Sequence, residues 1–166
     1  MLLFTDTCFW NHVKELAEEN ITDLRPQLHL FRIGITEEVW KEIVHFQLAE
    51  FTSKEELYIA PISSLEIEQA LTKFPTLQIF DLADQTFIMA AIRDQGVILT
   101  DDGDLFLEAQ AMGIQVLRLP MFCLELARNT DFPKRTVHQC LKFWEEHGSY
   151  EKRSIKRWKI ELRAIA

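Results

Sequence analysis

Four acidic residues lie at points where predicted strands meet predicted helices. Asp6 follows the apolar run LLFT, Glu42 lies within TEEVWKEI, Asp84 opens DQTFIMAAI and Asp102 follows VILT. Open α/β sheets gather their site residues at the carboxyl ends of strands, where loops from distant parts of the chain converge. The arrangement therefore predicts one pocket in which carboxylates bind a metal ion.

Carboxylate oxygens of this kind suit hard cations. Mg²⁺ and Mn²⁺ prefer carboxylates and water, and two such ions about 4 Å apart can stabilise the attacking and leaving oxygens of a phosphodiester displacement. A single ion could instead generate hydroxide. Each acid also has an ordinary structural reading: Asp6 could bind a turn N–H, Glu42 could be solvated, Asp84 could stabilise a first helical turn and Asp102 could cap a helix.

Helical and extended patterns alternate along residues 1–119, which predicts an α/β fold. We expect a three-layer α/β/α sandwich with a central, mainly parallel sheet joined by right-handed crossovers. The predicted strands are 2–5, 57–62, 97–100 and 114–119, with extended candidates at 28–33 and 77–80. The predicted helices are 8–19, one capped by Thr36 and reaching 48, one from Ser63 or Ser64 to Lys73, then 82–95 and 103–112.

The chain is predicted to be helical after Pro120, with one helix between Asp131 and Gly148 and a last helix from about 150. We therefore divide it into a catalytic domain at residues 1–120 and a helical C-terminal extension at 121–166 that packs on the same domain.

Charge is unevenly distributed along the chain. Residues 150–166 hold six Lys or Arg against two acids, a net charge of +4, which leaves −12 on residues 1–149 because the whole chain carries −8. Acids that converge would be relieved by a divalent cation. In the basic tail, Tyr150 and Trp158 could stack a base, but an amphipathic helix that docks on the acidic body is the commoner arrangement.

Several other classes are disfavoured by composition. The three cysteines form no C-x-x-C pair and are predicted to be buried free thiols. No stretch approaches the roughly 18 apolar residues of a membrane span, and the amino end lacks a signal-peptide pattern, so we expect a cytoplasmic protein without membrane association. The five glycines form no G-x-G-x-x-G motif or P-loop, which disfavours nucleotide-dependent enzymes.

Four segments, taken in order, carry a resemblance to a known family: LLFTDT, ITEEVWKEI, DLADQTFIMAA and VILTDDGDL. They resemble the motifs of the PIN-domain nucleases, which include the VapC-like toxin ribonucleases, and the resemblance covers about residues 1–119. It implies a parallel α/β/α sandwich whose acids bind Mg²⁺ or Mn²⁺ and which cleaves RNA. The family often has Asn after its first Asp-Thr, where this chain has Cys8.

The resemblance also assigns roles to individual residues. It implies a catalytic and metal-binding set of four acids, a fifth acid as auxiliary metal ligand or water holder, and two threonines that bind carboxylates, water or phosphate. In this chain the four acids are Asp6, Glu42, Asp84 and Asp102, the fifth is Asp104, and the threonines are Thr7 and Thr100.

Neighbouring acids are expected to have structural roles. Glu37 and Glu38 suit the first turn of a helix, where negative charge is favourable. Asp81 and Asp23 are predicted to be caps or turn residues rather than ligands. Asp101 adjoins two proposed site residues but is expected to point to the surface.

The leading hypothesis is a metal-dependent ribonuclease that hydrolyses RNA phosphodiester bonds. Toxin function is a further hypothesis, which would add a protein antitoxin as partner, and a homodimer is expected by resemblance. The alternative is a non-catalytic module that keeps the PIN fold to bind RNA or a protein. Receiver domains and haloacid dehalogenase phosphatases are disfavoured, because the former need paired acids after the first strand and the latter need D-x-D, where this chain has Asp6-Thr7-Cys8.

Overall fold

The computed structural model of the chain describes residues 1–165, and five short strands lie at its centre. These strands are β1 (Leu2–Thr5), β2 (Arg32–Thr36), β3 (Tyr58–Ala60), β4 (Val97–Leu99) and β5 (Val116–Leu117). All pairings between them are parallel, and the order across the sheet is β3-β2-β1-β4-β5. The predicted α/β fold is confirmed, with a wholly parallel sheet.

Nine α-helices flank or follow the sheet within residues 1–165. They are α1 (Thr7–Glu18), α2 (Arg25–Leu28), α3 (Glu37–His45), α4 (Ser64–Lys73), α5 (Leu82–Arg93), α6 (Gly103–Ala111), α7 (Leu119–Asn129), α8 (Lys134–Glu146) and α9 (Lys152–Ala164). Two 3₁₀ segments lie at Lys54–Glu56 and Pro75–Ile79. None of the helices in this part of the chain has the length and apolar character needed to cross a membrane.

Helices cover both faces of the sheet. On one face, the Phe4 ring meets the edge of Phe87 in α5 with ring centroids 6.4 Å apart. On the other face, the Thr5 hydroxyl accepts a hydrogen bond from the Trp10 indole of α1 at 3.0 Å. Successive side chains of a strand point to opposite faces, so α5 and α1 form separate layers around the sheet. The result is the expected three-layer sandwich.

The C-terminal helices pack on the α1 side. Phe122 of α7 contacts the edge of Phe9 in α1, with centroids 6.3 Å apart. Trp144 of α8 and Trp158 of α9 are buried in the same apolar cluster as the sheet residues. The predicted domain boundary after residue 120 lies within α7 and stays a prediction, and the predicted end at Ala166 lies outside the described residues.

Two glycines make room for one aromatic ring. A Cβ placed on Gly34 of β2 would lie 2.9 Å from the Phe4 ring, and a Cβ on Gly96 would lie 2.6 Å from it. Real Cβ atoms do not approach this closely, so Phe4 fills the space that both missing side chains leave. The ring thereby packs against both Phe87 and Tyr58.

The predicted strand 57–62 is shortened to Tyr58–Ala60, and three other predicted extended segments differ more from the structure. In the 28–33 segment only the last two residues are extended, because β2 begins at Arg32. Residues 77–80 are not a strand: the Pro75–Ile79 segment is 3₁₀, and Pro75 suits the first turn of a helix. The predicted strand 114–119 is reduced to Val116–Leu117, because Leu119 and Pro120 already open α7.

Candidate functional site

The direction of strand addition reverses between β1 and β4. From β1 the chain adds β2 and then β3 on one side, and it then crosses back to add β4 and β5 on the other. In open parallel sheets, ligands bind in the crevice outside the carboxyl ends of the two strands at such a reversal. Asp6 directly follows β1 and Thr100 directly follows β4, so both lie at this crevice.

Asp6 is a buried carboxylate that joins two segments. It caps α1 by accepting a hydrogen bond from the Phe9 backbone N–H at 2.7 Å, and its other oxygen accepts a hydrogen bond from the Thr100 hydroxyl. Burial raises the pKa of Asp6 to about 7, and the hydrogen bonds from Thr100 and Phe9 oppose this effect. Repulsion from Asp101 and Asp84 also raises it. An ionised Asp6 is therefore costly in this fold.

Glu42 is held by the second predicted threonine. The Thr7 hydroxyl donates to Oε2 of Glu42 at 2.6 Å, which links the start of α1 to the middle of α3. Thr7 is buried, and Glu42 is partly buried. This contact links the Glu42 carboxylate to the residue that directly follows Asp6 in the chain, and the charge of Glu42 acts on Asp84.

Asp84 lies in the first turn of α5, where its backbone N–H donates to the cap residue Asp81 at 3.0 Å. The role expected for Asp81 as a cap is confirmed. Within residues 1–165 the Asp84 carboxylate accepts no hydrogen bond from the protein. Burial raises its pKa to about 7, and repulsion from Asp81, Asp102 and Glu42 adds to this effect.

Asp102 is the cap of α6, and its Oδ1 accepts the Leu105 backbone N–H at 2.8 Å. Its own backbone N–H donates to the Thr100 hydroxyl oxygen at 3.1 Å. Thr100 therefore connects Asp102 to the Asp6 carboxylate. Asp104 is exposed in the first turn of α6 and is not brought into contact with the other predicted residues in the described part of the chain.

Asp101 was expected at the surface, and this prediction is wrong. Its Oδ1 accepts a hydrogen bond from the Tyr150 hydroxyl at 2.7 Å, and its carboxylate also receives the Leu119 backbone N–H at 3.3 Å. Burial raises the pKa of Asp101. Sequence reasoning missed this residue because its main partner lies 49 positions later in the chain, and no local pattern indicates such a pair.

The aromatic residues of the basic tail serve packing. Tyr150 is 8% exposed and Trp158 is 1% exposed, and their rings pack edge to face. Neither ring can stack a nucleobase in this arrangement. The more ordinary prediction, an amphipathic last helix docked on the body of the protein, is correct.

The cysteines are free thiols, as predicted. Cys123 and Cys140 are buried, whereas Cys8 is only partly buried beside the acids. Burial and the nearby charges of Asp6, Asp101 and Asp102 raise the pKa of Cys8 to about 12. The Cys8 side chain is therefore a neutral thiol rather than a nucleophilic thiolate.

No three His, Cys, Asp or Glu side chains within residues 1–165 form a group that could hold a metal ion. Two of the predicted acids are instead held by hydrogen bonds from threonines, and the charges of several of these acids repel one another. Their oxygen donors match the chemistry of a hard cation. In the described structure, both oxygens of Asp84, Oε1 of Glu42 and Oδ2 of Asp102 accept no protein hydrogen bond. Metal binding stays a prediction.

A cavity of about 500 Å³ lies away from these acids, on the α1 side of the sheet. Its lining includes Trp10, Arg25, Phe31 and Phe51, and none of the predicted site residues. The carboxylates belong instead to the open edge of the sheet, where the exposed Asp102 begins α6.

Comparison with known proteins gives no family assignment, because no protein-family model and no curated protein matches the chain. The fold and the site define a class by architecture alone. The chain is an α/β protein with a wholly parallel sheet. A group of mutually repelling carboxylates lies at the point between β1 and β4 where the direction of strand addition reverses.

Proposed function

We propose that this chain is a ribonuclease that requires Mg²⁺ or Mn²⁺ and hydrolyses RNA phosphodiester bonds in the cytoplasm. Its catalytic carboxylates are Asp6, Glu42, Asp84 and Asp102. The observation that carries the proposal is the pairing of Thr100 with Asp6 and of Thr7 with Glu42 at the reversal point of the sheet. Each bond joins a predicted threonine to a predicted acid from a different segment.

Each of the two threonines orients one acid of the group. A carboxylate has about four positions at which its oxygens can accept a partner. Asp6 uses two of them, for Phe9 and Thr100, and so keeps capacity for a further ligand. In this proposal the four catalytic carboxylates bind the cation, with Asp104 as an auxiliary ligand, and their side chains must move together to do so, because no three of them form a metal-binding group in the described structure. When bound, the cation supplies activation of water and neutralises charge on the attacked phosphate.

The order of the acidic segments gives independent support. The resemblance to PIN-domain nucleases rests on four segments, and their acids follow β1, lie in α3, lie in the first turn of α5 and follow β4. Toxin function is part of the same proposal. Growth arrest on expression, relieved by a protein encoded beside this chain, is the expected behaviour of a toxin.

Replacing Asp84 by asparagine tests the enzyme. The Asp84 side chain makes no hydrogen bond to the described protein, so the variant should fold normally, and loss of its charge should lower RNA hydrolysis by roughly a hundredfold or more. The assay follows cleavage of single-stranded RNA with Mn²⁺, and products should carry 3′-hydroxyl ends. EDTA should stop the reaction.

The matched control is Asp131→Asn, which makes the same chemical change at an exposed position between α7 and α8. It should cut RNA as the unaltered chain does. Equal activity in the Asp84 and Asp131 variants would remove the acid cluster from the mechanism. If the unaltered chain binds RNA but neither cuts it nor takes up Mn²⁺ in isothermal titration, it is a binding module and not an enzyme.

A further inference from the structure

Arg118 is a cation at the carboxyl ends of the parallel strands, where the predicted acids also lie. It directly follows β5, and the Thr100 backbone N–H donates to the carbonyl oxygen of the preceding Leu117 at 3.1 Å. The next residue, Leu119, donates its backbone N–H to Asp101. The Arg118 backbone therefore lies beside the segment that carries Thr100, Asp101 and Asp102.

Within residues 1–165 the charge of the Arg118 guanidinium acts on Asp101, where it opposes the rise in the pKa of that acid. In this described part of the chain the guanidinium forms no ion pair and no side-chain hydrogen bond, and its Nε is buried without a partner. Arg25, Arg93 and Arg128, in contrast, each bind a carboxylate. A buried donor that lacks a partner costs free energy, and the cost is greater when the donor belongs to a charged group. Solvation satisfies an exposed arginine, but it does not reach this Nε.

Two neighbours hold the guanidinium in place. Its carbon lies 4.9 Å from the centre of the Phe106 ring, at a distance typical of a cation stacked on an aromatic face. A terminal nitrogen lies 3.7 Å from the position that a Cβ on Gly103 would occupy, so the guanidinium runs along the first turn of α6. The group is thus placed against one rigid element, α6, while its side-chain donors form no hydrogen bond to the described protein.

A guanidinium presents five N–H donors in a planar fork that matches the oxygens of a phosphate. Asp101, the carboxylate on which the Arg118 charge acts, already accepts hydrogen bonds from Tyr150 and from the Leu119 N–H. No carboxylate of the described chain accepts a hydrogen bond from Arg118, so its forked donors are free for an anion from outside. A negatively charged polymer that reaches the acids would pass this cation.

We propose that Arg118 binds a phosphate of the RNA strand on the β5 side of the carboxylates, and so supplies a positive charge that the acidic edge lacks. This inference rests on the proposed function, since it names a contact for the same substrate. Arg118 is a binding residue in this scheme and takes no part in proton transfer. It should therefore affect the dissociation constant of RNA and the KM more than kcat.

The test compares Arg118→Gln with Arg135→Gln, both measured in a chain that also carries Asp84→Asn so that RNA stays intact. Arg135 is an exposed arginine of α8 and provides the same chemical change elsewhere. The probe is a short, unstructured, fluorescein-labelled single-stranded RNA, and binding is followed by fluorescence anisotropy at several salt concentrations. Arg118→Gln should weaken binding by roughly tenfold to a hundredfold relative to Arg135→Gln.

Removing one phosphate contact should also lower the slope of log affinity against log salt by about 0.7 for a single strand. Arg118→Lys keeps the charge but not the fork, so it should keep the slope and bind with intermediate affinity. Thermal unfolding of each variant reports the contribution of the Phe106 stack to stability. A lower melting temperature with unchanged RNA affinity and slope would show a purely structural role and overturn the inference.

Failure of this inference and failure of the proposed function give different results. If the unaltered chain cuts RNA and Arg118→Gln binds RNA as Arg135→Gln does, the enzyme stands and the Arg118 contact is refuted. If no metal supports cleavage but Arg118→Gln still lowers RNA affinity and slope, the contact stands and the enzyme is refuted. Absence of RNA binding by every form would overturn both.

Discussion

Replacing Asp6 by asparagine should stabilise the fold above neutral pH while removing a carboxylate that the proposed activity needs. The pKa of Asp6 is raised from 3.8 to about 7, mainly by burial. The folded chain therefore keeps a proton on this carboxyl over a pH range in which the unfolded chain has lost it. Stability from this group is present at low pH and is lost as pH rises towards 7.

The size of this effect follows from the pKa values. A shift of one pKa unit corresponds to about 1.4 kcal/mol, so ionised Asp6 costs the fold on the order of 4 kcal/mol above pH 7. Asparagine avoids this cost because it does not ionise. Its amide oxygen can accept the Phe9 N–H, and its amide nitrogen can donate to Thr100. The Thr100 hydroxyl proton then loses its acceptor, which costs about 1–3 kcal/mol.

Together, the two contributions should make the stability difference between the Asp6→Asn chain and the unaltered chain change sign with pH. Near pH 4 the Asp6→Asn chain should be less stable than the unaltered chain by about 1–3 kcal/mol. Above pH 7 it should be more stable by a similar amount, so the difference between the two free energies of unfolding changes by about 4 kcal/mol. Urea unfolding with EDTA at a series of pH values from about 4 to about 8 measures it.

Asp131→Asn is the control, because its exposed side chain should give a difference that hardly changes with pH. Mn²⁺ provides a second comparison, since a ligand that binds only the folded state stabilises it by mass action. The ion should stabilise the unaltered chain and not the Asp6→Asn chain. A stability difference between these two chains that stays constant within about 1 kcal/mol across the pH series would refute the raised pKa and the reasoning built on it.

Two further substitutions test contacts that support the site and the sheet. Tyr150→Phe removes a hydrogen bond from partly buried Asp101 and should lower the free energy of unfolding by about 1–3 kcal/mol, more at pH 8 than at pH 4 because the bond favours the ionised acid; an equal loss at both pH values in urea unfolding would contradict this. Gly34→Ala should destabilise the chain by about 1–3 kcal/mol because its Cβ would lie 2.9 Å from the Phe4 ring, and an unchanged melting temperature would show that the ring can move.

The fold was predictable where its causes are local. The Thr36 cap of α3 and the capping box formed by Ser63 and Glu66 follow from side chains that satisfy free N–H groups within one turn. The alternation of strands and helices predicts a parallel sheet because crossover connections leave few other topologies. The length of β5 could not be predicted, because the apolar run continues into α7 and does not show where the strand ends and the helix begins.

The sequence was sufficient to predict which segments meet at the site. Acids that follow parallel strands must lie at one edge of the sheet, so Asp6 and Asp102 could be placed together from sequence. The partner of Asp101 could not, because Tyr150 reaches it only after α7 and α8 have folded back on the body of the protein. Arg118 gave no signal either, since the sequence does not show that a cation lacks a partner.

The outermost strands of the sheet are very short, with three residues in β3 and two in β5. An edge strand exposes unpaired N–H and C=O groups that can recruit a strand from another molecule, and long flat edges promote aggregation. Two or three residues give an incoming strand very few hydrogen bonds. Because these edge strands are so short, they should protect the protein against intermolecular sheet growth at high concentration.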